Sequence, residues 1–159
     1  MPKFRYPHVL ILLIITFLAG CSRPDFTLVS GDAVRLADNN GKWVIINYWA
    51  EWCKPCLDEV PELNEFYKQV DGKILFYSIS YDKDSNESLA EQKKKYGIEY
   101  PIIATEPAPQ INIPRPAALP ANYLIAPDGK TYGPILGPQD AATMVALFEK
   151  TEAAWMAGQ

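Results

Sequence analysis

The 159-residue chain is poor in metal-binding side chains, since it has one histidine and three cysteines. Structural zinc sites usually need four cysteine or histidine ligands. Two of the four candidates, His8 and Cys21, lie in or beside an N-terminal segment with the features of a targeting signal, so a metal site is disfavoured. Positive charge is also scarce, with 15 basic residues against 19 acidic ones. The composition therefore gives no indication of a nucleic-acid partner or of binding to an anionic membrane surface.

The N-terminal apolar run is too short to cross a bilayer as a helix, which takes about 20 residues. It extends over 11 residues from Val9 to Ala19 and follows Lys3 and Arg5. This combination is typical of a secretory signal peptide. We expect residues 1–20 to form such a signal and not a membrane anchor.

The end of this run, Leu18-Ala19-Gly20-Cys21, resembles the bacterial lipobox, whose cysteine receives a diacylglycerol and becomes the new N-terminus. The resemblance implies lipid attachment at Cys21, a short lipidated tether over residues 21–25 and one domain over residues 26–159. An ordinary signal peptide with an unmodified cysteine is the alternative. Ser22 resembles the sorting context of outer-membrane lipoproteins and favours the outer membrane over the inner one.

Processing at Cys21 would leave 139 residues, enough for one domain with a hydrophobic core. Losing Lys3 and Arg5 leaves 13 basic and 19 acidic residues, a net charge of −6. Attachment to a membrane must then come from the lipid.

Two cysteines remain, Cys53 and Cys56, in a C-x-x-C arrangement at the start of an expected helix. Thiols at this spacing can close a small disulfide ring, and the N-terminus of a helix favours a thiolate. The pair therefore indicates a dithiol–disulfide couple that needs no other cofactor.

Strand and helix patterns alternate along the chain, which predicts an α/β fold with parallel pairing. Buried strands are expected over Trp43 to Trp49 and Lys73 to Ser80. A helix from Cys53 to Val70 has apolar residues at helical spacing and should kink at Pro61. Asp84 or Ser85 should cap a second helix that runs to Tyr96.

The two ends of the chain give further patterns. We expect short strands over Phe26 to Val29 and Ala33 to Leu36, and an antiparallel hairpin of Ala121 to Ala126 with Thr131 to Leu136. A last amphipathic helix should begin near Pro138. Six prolines between Pro101 and Pro120 exclude a regular helix or a central strand there, so this stretch is expected to be a stiff loop.

Several segments together resemble the thioredoxin superfamily, and specifically the TlpA and ResA type of membrane-anchored thiol-disulfide oxidoreductases. They are Pro24-Asp25-Phe26-Thr27-Leu28, the stretch from Gly41 to Cys56 that ends in Trp52-Cys53-Lys54-Pro55-Cys56, Leu119-Pro120-Ala121-Asn122-Tyr123-Leu124-Ile125, and Pro127-Asp128-Gly129-Lys130. The resemblance implies a thioredoxin-like fold, a central mixed β-sheet flanked by helices, with an N-terminal β extension.

The resemblance also implies roles for the residues around the cysteine pair. Cys53 would be the exposed nucleophile that attacks a target disulfide, and Cys56 would resolve the mixed disulfide. Pro120 would be a cis-proline beside the pair, and the backbone of Leu119 would bind the substrate. Trp52 would belong to the docking surface, while Lys54 and Pro55 would tune the redox couple, Lys54 by favouring the thiolate.

The central strand departs from cytoplasmic thioredoxins, which have a buried Asp where this chain has Asn47. Asn47 cannot accept a proton near neutral pH. The resemblance to the TlpA and ResA branch makes Glu59 the acid-base candidate, three residues after Cys56 on a neighbouring helix face. The alternative for Glu59 is a solvated carboxylate, and solvation is the expectation for Glu51.

Residues 106–118 form a second departure, because relatives usually have a short helix before the cis-proline. We interpret this proline-rich segment as a rigid lip that shapes the choice of partner. A variable surface loop is the competing interpretation.

The function implied by the resemblance is a lipid-anchored disulfide reductase that faces the periplasm. It would accept electrons from a membrane-embedded thiol reductant and pass them to oxidised envelope proteins, with cytochrome c maturation as one task by analogy. A disulfide oxidant or isomerase of the same fold remains open, as does a noncatalytic binding lipoprotein.

Two neighbouring families are disfavoured. A peroxiredoxin would have its catalytic Thr where this chain has Ala50. A copper-delivery protein of the Sco type would have C-x-x-x-C and a distal histidine, and the processed chain has no histidine.

Overall fold

The computed structural model describes residues 23–39, 41–70 and 72–158. The expected signal peptide over residues 1–20 and the lipidation site Cys21 lie outside these residues and stay predictions. The elements are β1 (Phe26–Thr27), β2 (Ala33–Val34), a 3-10 helix (Leu36–Asp38), β3 (Trp43–Trp49), α1 (Lys54–Asp58), α2 (Val60–Val70), β4 (Ile74–Ser80), α3 (Asn86–Lys95), β5 (Ile102–Ile103), β6 (Ala121–Ile125), β7 (Thr131–Leu136) and α4 (Ala141–Ala157).

A five-stranded mixed sheet with the order β5-β4-β3-β6-β7 forms the centre of the domain. Strands β3, β4 and β5 are parallel, while β6 and β7 are antiparallel to their neighbours. Every residue of β3 is buried, as its continuous run of apolar and β-branched residues predicts for a central strand covered on both faces. The predicted α/β architecture is thereby confirmed.

The two faces of β3 contribute to two different hydrophobic clusters, because successive side chains of a strand point to opposite faces. Trp43, Ile45 and Trp49 pack with buried residues of all four helices. Val44, Ile46 and Tyr48 lie in a second cluster, against which Ile111 and Ile113 of the proline-rich segment pack. The proline-rich segment therefore covers part of the sheet face opposite the helices.

The N-terminal β extension is present, with Phe26 opposite Val34 in an antiparallel pair. Its strands are shorter than expected because the chain turns to the edge of the main sheet. The N–H of Val29 donates to the carbonyl of Ile102 at 2.9 Å, and Leu28 forms a bridge with Ile103. The extension is thus joined to β5.

The helix expected from Cys53 to Val70 divides at Glu59, close to the kink predicted at Pro61. The N–H of Glu59 donates to the carbonyl of Pro55, and the N–H of Leu63 donates to the carbonyl of Glu59. A proline in a helix interior removes one main-chain donor and distorts the turn before it. The division places Glu59 at the junction of α1 and α2.

Two sequence expectations were wrong in detail. The proline-rich stretch contains the short strand β5, which pairs with β4 at the edge of the sheet; two apolar residues after Pro101 suffice there. The last helix begins at Ala141 and not near Pro138, because the Asp140 side chain accepts the Thr143 N–H at 2.6 Å and acts as the N-cap.

Candidate active site

The cysteine pair lies just beyond the C-terminal end of β3, at the start of α1. Cys53 is the N-cap residue in an extended conformation, and its sulfur accepts the N–H of Cys56 at 3.3 Å. The two residues form a disulfide with their Cα atoms 5.3 Å apart. The predicted redox couple is therefore assembled at the positive end of a short helix.

The exposure of Cys53 differs from the expectation. Cys53 is 5% exposed and Cys56 is 1% exposed, so the expected exposed nucleophile is buried in the oxidised form. The reason is that both residues belong to the helix-side hydrophobic cluster together with Trp49 and Ala50. Cys53 is still the more accessible of the two.

Lys54 and Pro55 occupy the first turn of α1, where the missing N–H of proline leaves no main-chain partner unused. The Lys54 ammonium lies in solvent and forms an ion pair with Asp58 at 2.6 Å, one turn further along the helix. An exposed pair of this kind contributes little stability. Asp58 also offsets much of the positive charge that Lys54 was expected to supply to the thiolate.

Trp52 is 66% exposed beside Cys53, as expected of a docking residue. Its indole N–H donates to Asp82 at 2.6 Å, and its ring meets that of Tyr81 edge to face, with centroids 6.3 Å apart. The guanidinium of Arg115 stacks over the ring of Tyr81, 3.6 Å from its centroid, and donates to the Tyr81 carbonyl at 2.9 Å. Trp52 is therefore connected through Tyr81 to the proline-rich segment.

The Leu119–Pro120 peptide bond is cis, as predicted. Pro120 directly precedes β6, whose first residue, Ala121, pairs with Tyr48 near the end of β3. This register brings Pro120 to the C-terminal end of β3, where the loop with the cysteine pair begins. Leu119 is half-buried and packs against both hydrophobic clusters.

Glu59 is a buried carboxyl group and not a solvated one, since the residue is 3% exposed. Its Oε1 accepts from the Asn47 side-chain amide at 3.1 Å, and its Oε2 accepts from the N–H of Gln139 at 3.0 Å. Burial raises the pKa of Glu59 to about 7, although both hydrogen bonds favour the carboxylate and oppose the rise. A carboxyl group with this pKa can take up and release protons near neutral pH.

Tyr100 is a second titratable side chain that interacts electrostatically with Glu59. It is 1% exposed, and burial together with the Glu59 carboxylate raises the pKa of its phenol. It therefore stays neutral in the range in which Glu59 titrates.

The Glu51 side chain is exposed to solvent, as expected, and its carboxylate also has hydrogen-bond partners. Its Oε1 accepts from the Lys95 ammonium and from the Tyr96 hydroxyl, both at 2.9 Å. These bonds lower the pKa of Glu51. They also join the cysteine loop to the end of α3.

Sequence reasoning did not identify Asn122, Tyr81 or Arg115. Asn122 lies opposite Asn47 in the sheet and accepts from its amide at 3.1 Å. Its position two residues after the predicted cis-proline was the one indication that Asn122 lies near the site, and the sequence did not show that its partner is Asn47. Tyr81 and Arg115 are 34 residues apart, and no local pattern relates them.

Within residues 23–39, 41–70 and 72–158 no group of three or more acidic, histidine or cysteine side chains has the arrangement of a metal site. The same described part of the chain has no helix that is both long and apolar enough to cross a membrane.

Comparison with known proteins agrees with this geometry. The AhpC/TSA family profile matches residues 19–132. The thiol-disulfide oxidoreductase ResA of Geobacillus kaustophilus is 35% identical over 123 residues, which cover 74% of this chain and 69% of that protein.

Solved structures match as well. A thiol:disulfide interchange protein of the thioredoxin family from Chlorobium tepidum superposes with a TM-score of 0.62 at 26% identity, covering 77% of this chain and 92% of the other. The exposed lipoprotein thioredoxin of Streptococcus pneumoniae has a TM-score of 0.64 at 19% identity over 79% of this chain and 96% of its own, a likeness of fold.

Proposed function

The chain belongs to the AhpC/TSA family and, with its ResA relatives, to the thiol-disulfide oxidoreductases, and we propose that it reduces disulfides of envelope proteins through Cys53 and Cys56. The observation that carries this proposal is the closed Cys53–Cys56 disulfide at the N-terminus of α1. A disulfide between residues three apart closes too small a loop to serve mainly as a structural crosslink.

The reaction begins with the dithiol form. The Cys53 thiolate attacks a substrate disulfide, forms a mixed disulfide and releases one substrate thiolate. The Cys56 thiolate then attacks the Cys53 sulfur, which closes the enzyme disulfide and releases the second substrate thiolate. Two electrons pass to the substrate, and the two enzyme thiol protons are balanced by those taken up by the substrate thiols.

Return to the dithiol form needs a second reductant. We assign this role to a membrane-embedded thiol protein of the envelope. Reduction of the haem-attachment cysteines of apocytochrome c is one task that fits such a route, by analogy with the TlpA and ResA type.

Glu59 is proposed as the group that accepts the Cys56 proton before the resolving step. It follows Cys56 by three residues, is buried and has a pKa of about 7. Asn47 cannot perform this role because an amide does not ionise near neutral pH.

The test is the resolution rate of a preformed Cys53 mixed disulfide, followed against pH in wild type and Glu59→Gln. A general base contributes roughly 10²-fold in favourable cases, and we expect a clear slowing near neutral pH. Superimposable profiles from two folded proteins would leave Glu59 without this role.

We assign substrate contact to Trp52, which is exposed next to Cys53, and to Leu119 and Pro120, which directly precede β6 beside the C-terminal end of β3. Proline offers no N–H at position 120, so the neighbouring Leu119 backbone is the group left to pair with an extended substrate segment. Lys54 and Pro55 are proposed to tune the couple, with the Lys54 contribution reduced by its ion pair with Asp58.

The location follows from the N-terminal sequence, which lies outside the described residues. We propose that residues 1–20 are removed, that Cys21 carries the lipid, and that residues 21–25 tether the domain of residues 26–159 on the periplasmic side of the envelope. Ser22 supports the outer membrane as the destination.

An insulin-reduction assay with wild type and Cys53→Ser tests the activity. Wild type should precipitate reduced insulin in the presence of a dithiol reductant, and the variant should not. Equal rates would favour a noncatalytic binding lipoprotein. A reduction potential near that of strong disulfide oxidants, about −120 mV, would favour the oxidant alternative over a reductase near about −270 mV.

A further inference from the structure

Asn47 and Asn122 form a buried pair of amides across the central strands. They are directly opposite in the antiparallel register of β3 and β6, and neither has any exposed surface. On its other side Asn47 is opposite Ser78 of β4. Two amides in the interior of a largely apolar sheet are costly unless their hydrogen bonds are made.

The hydrogen bonds of the pair converge on one nitrogen. The Nδ2 of Asn47 donates both to Glu59 Oε1 and to Asn122 Oδ1, each at 3.1 Å. Asn47 Oδ1 and Asn122 Nδ2 are buried and have no hydrogen-bond partner among the described residues. The orientation thus leaves one carbonyl and one amino group unsatisfied.

Joining the two strands does not require this orientation. If both amides turned by 180° about their terminal torsions, Asn122 Nδ2 would donate to Asn47 Oδ1, and one carbonyl and one amino group would again lack partners. The two arrangements differ in what they offer Glu59. The observed one offers a donor, which suits a carboxylate, and the reversed one offers an acceptor, which suits the O–H of a carboxylic acid.

We propose that Asn47 and Asn122 are positioning residues that act as a reversible amide relay, donating to Glu59 when it is a carboxylate and accepting from it when it is a carboxylic acid. Asn122 contacts Glu59 only through Asn47. Its function is to give Asn47 a partner in either orientation, so that the proton on Glu59 is accommodated without a buried clash between two donors or two acceptors.

The other groups around Glu59 do not provide such a change. The N–H of Gln139, which precedes α4, can only donate. Tyr100 keeps its proton and forms no hydrogen bond with Glu59 among the described residues. The Glu62 carboxylate on α2 accepts the N–H of Ala141, and Cys56, one turn earlier on α1, is part of the disulfide in the oxidised form. Because the pKa of Glu59 is about 7, both of its forms are populated near neutral pH.

The relay rests on the proposed function only for its catalytic purpose, which is to keep Glu59 able to take and return a proton. The claim that the two amides reverse when Glu59 takes up a proton does not depend on catalysis. The orientation of the amides is therefore measured in the oxidised protein, in which neither Cys53 nor Cys56 titrates.

Neutron diffraction from deuterated crystals at pH 5 and pH 9 locates the amide deuterons directly. We expect Asn47 to donate to Glu59 and Asn122 at pH 9, and both amides to be reversed at pH 5. Glu59→Gln, whose amide can donate to Asn47 Oδ1 while its oxygen accepts from Gln139, should show the reversed pair at both values. The same orientation of Asn122 in wild type at both pH values would overturn the proposal.

Ser78→Ala is the matched control, because Ser78 is the equally buried neighbour of Asn47 on the other side and its hydroxyl donates to the carbonyl of Pro101 and not to Asn47. It should leave the reversal of the two amides between pH 5 and pH 9 unchanged. If Glu59→Gln resolves the mixed disulfide slowly but the amides of wild type do not reverse, the role of Glu59 is supported and the relay is wrong. If the amides of wild type reverse but Glu59→Gln resolves the mixed disulfide at the wild-type rate, the relay is supported and the acid-base role of Glu59 is wrong.

Discussion

At the scale of single residues, Glu59 is a carboxyl group whose burial opposes its charged form. It is 3% exposed, and its burial raises its pKa from 4.5 to about 7. The unfolded chain releases this proton at a lower pH than the folded protein does. The site therefore keeps a group able to exchange a proton near neutral pH at the expense of stability.

The stability of wild type should consequently fall as pH rises through the interval from about 4.5 to about 7, because the folded state binds the Glu59 proton more tightly than the unfolded state. Glu59→Gln removes this loss. We expect the variant to be more stable than wild type at pH 8, by roughly 3 kcal/mol at most, with the difference nearly gone at pH 4. Urea unfolding of the oxidised proteins between pH 4 and pH 9 measures it.

Glu91→Gln is the control for this prediction, since Glu91 is an exposed carboxylate on α3. It should follow the wild-type pH curve. A Glu59→Gln protein that gains no stability relative to wild type between pH 4 and pH 8 would show that burial does not hold the carboxyl group in its protonated form.

The role of Glu59 was only partly predictable from sequence. Its spacing from Cys56 places the two residues on adjacent helix faces, but spacing does not determine depth. The depth arises because the helix divides at Glu59 and turns its carboxyl group toward Asn47 of β3 and the N–H of Gln139. Gln139 is 80 residues away in sequence, so only the assembled fold brings these partners together.

At the scale of elements, the proline-rich segment is fixed at both ends of its path over the sheet. Ile111 and Ile113 pack on the face opposite the helices. Near its start, the Asn86 side chain accepts the N–H of Thr105 and donates to the carbonyl of Glu106. Near its end, Arg115 stacks on Tyr81, which in turn meets Trp52. These contacts support the proposed lip.

Arg115→Ala should therefore lower kcat/KM for a protein disulfide substrate by a few-fold, because an exposed cation–π contact contributes roughly 0.5–1 kcal/mol. The reaction of the cysteine pair with dithiothreitol, which needs no docking surface, should not change. Parallel assays with insulin and dithiothreitol measure the two effects.

Lys130→Ala provides the comparison, since Lys130 lies over the ring of Tyr132 at 5.1 Å in the β6–β7 hairpin. It should affect neither assay. If Arg115→Ala also leaves insulin reduction unchanged, the segment is a cover for the sheet and has no part in substrate choice.

The sequence predicted most elements because their signals are local. β3 shows its continuous buried pattern within seven residues, and Ser85 caps α3 by accepting the N–H of Ser88. β5 was missed because it is only two residues long and owes its pairing to β4. The start of α4 was placed too early because Pro138 resembles a first-turn proline, whereas the Asp140 side chain supplies the actual cap.

At the scale of the whole molecule, the proposed lipid anchor at the N-terminus is connected directly to the proposed redox domain. We propose that the domain begins with β1. The chain just after this strand is joined to the edge of the sheet by the hydrogen bond from the Val29 N–H to the Ile102 carbonyl. Few residues separate it from Cys21. A lipid on Cys21 would hold the domain close to the membrane surface.

Lipid attachment makes a direct prediction. Wild type should label with palmitate and partition into the detergent phase, and Cys21→Ser should do neither, while both retain insulin-reducing activity in detergent extracts. Continued labelling of Cys21→Ser, or release of wild type as a soluble protein, would exclude Cys21 as the lipid site.

Trapping of the mixed disulfide tests the central claim most directly. Reduced Cys56→Ala, mixed with insulin and analysed by mass spectrometry without reductant, should accumulate a one-to-one adduct whose only intermolecular disulfide is on Cys53, because the resolving thiol is absent. Cys53→Ala should accumulate little adduct, since Cys56 is the more deeply buried residue. An adduct that forms mainly through Cys56, or in neither variant, would contradict the assignment of Cys53 as nucleophile and of the pair as a disulfide reductase.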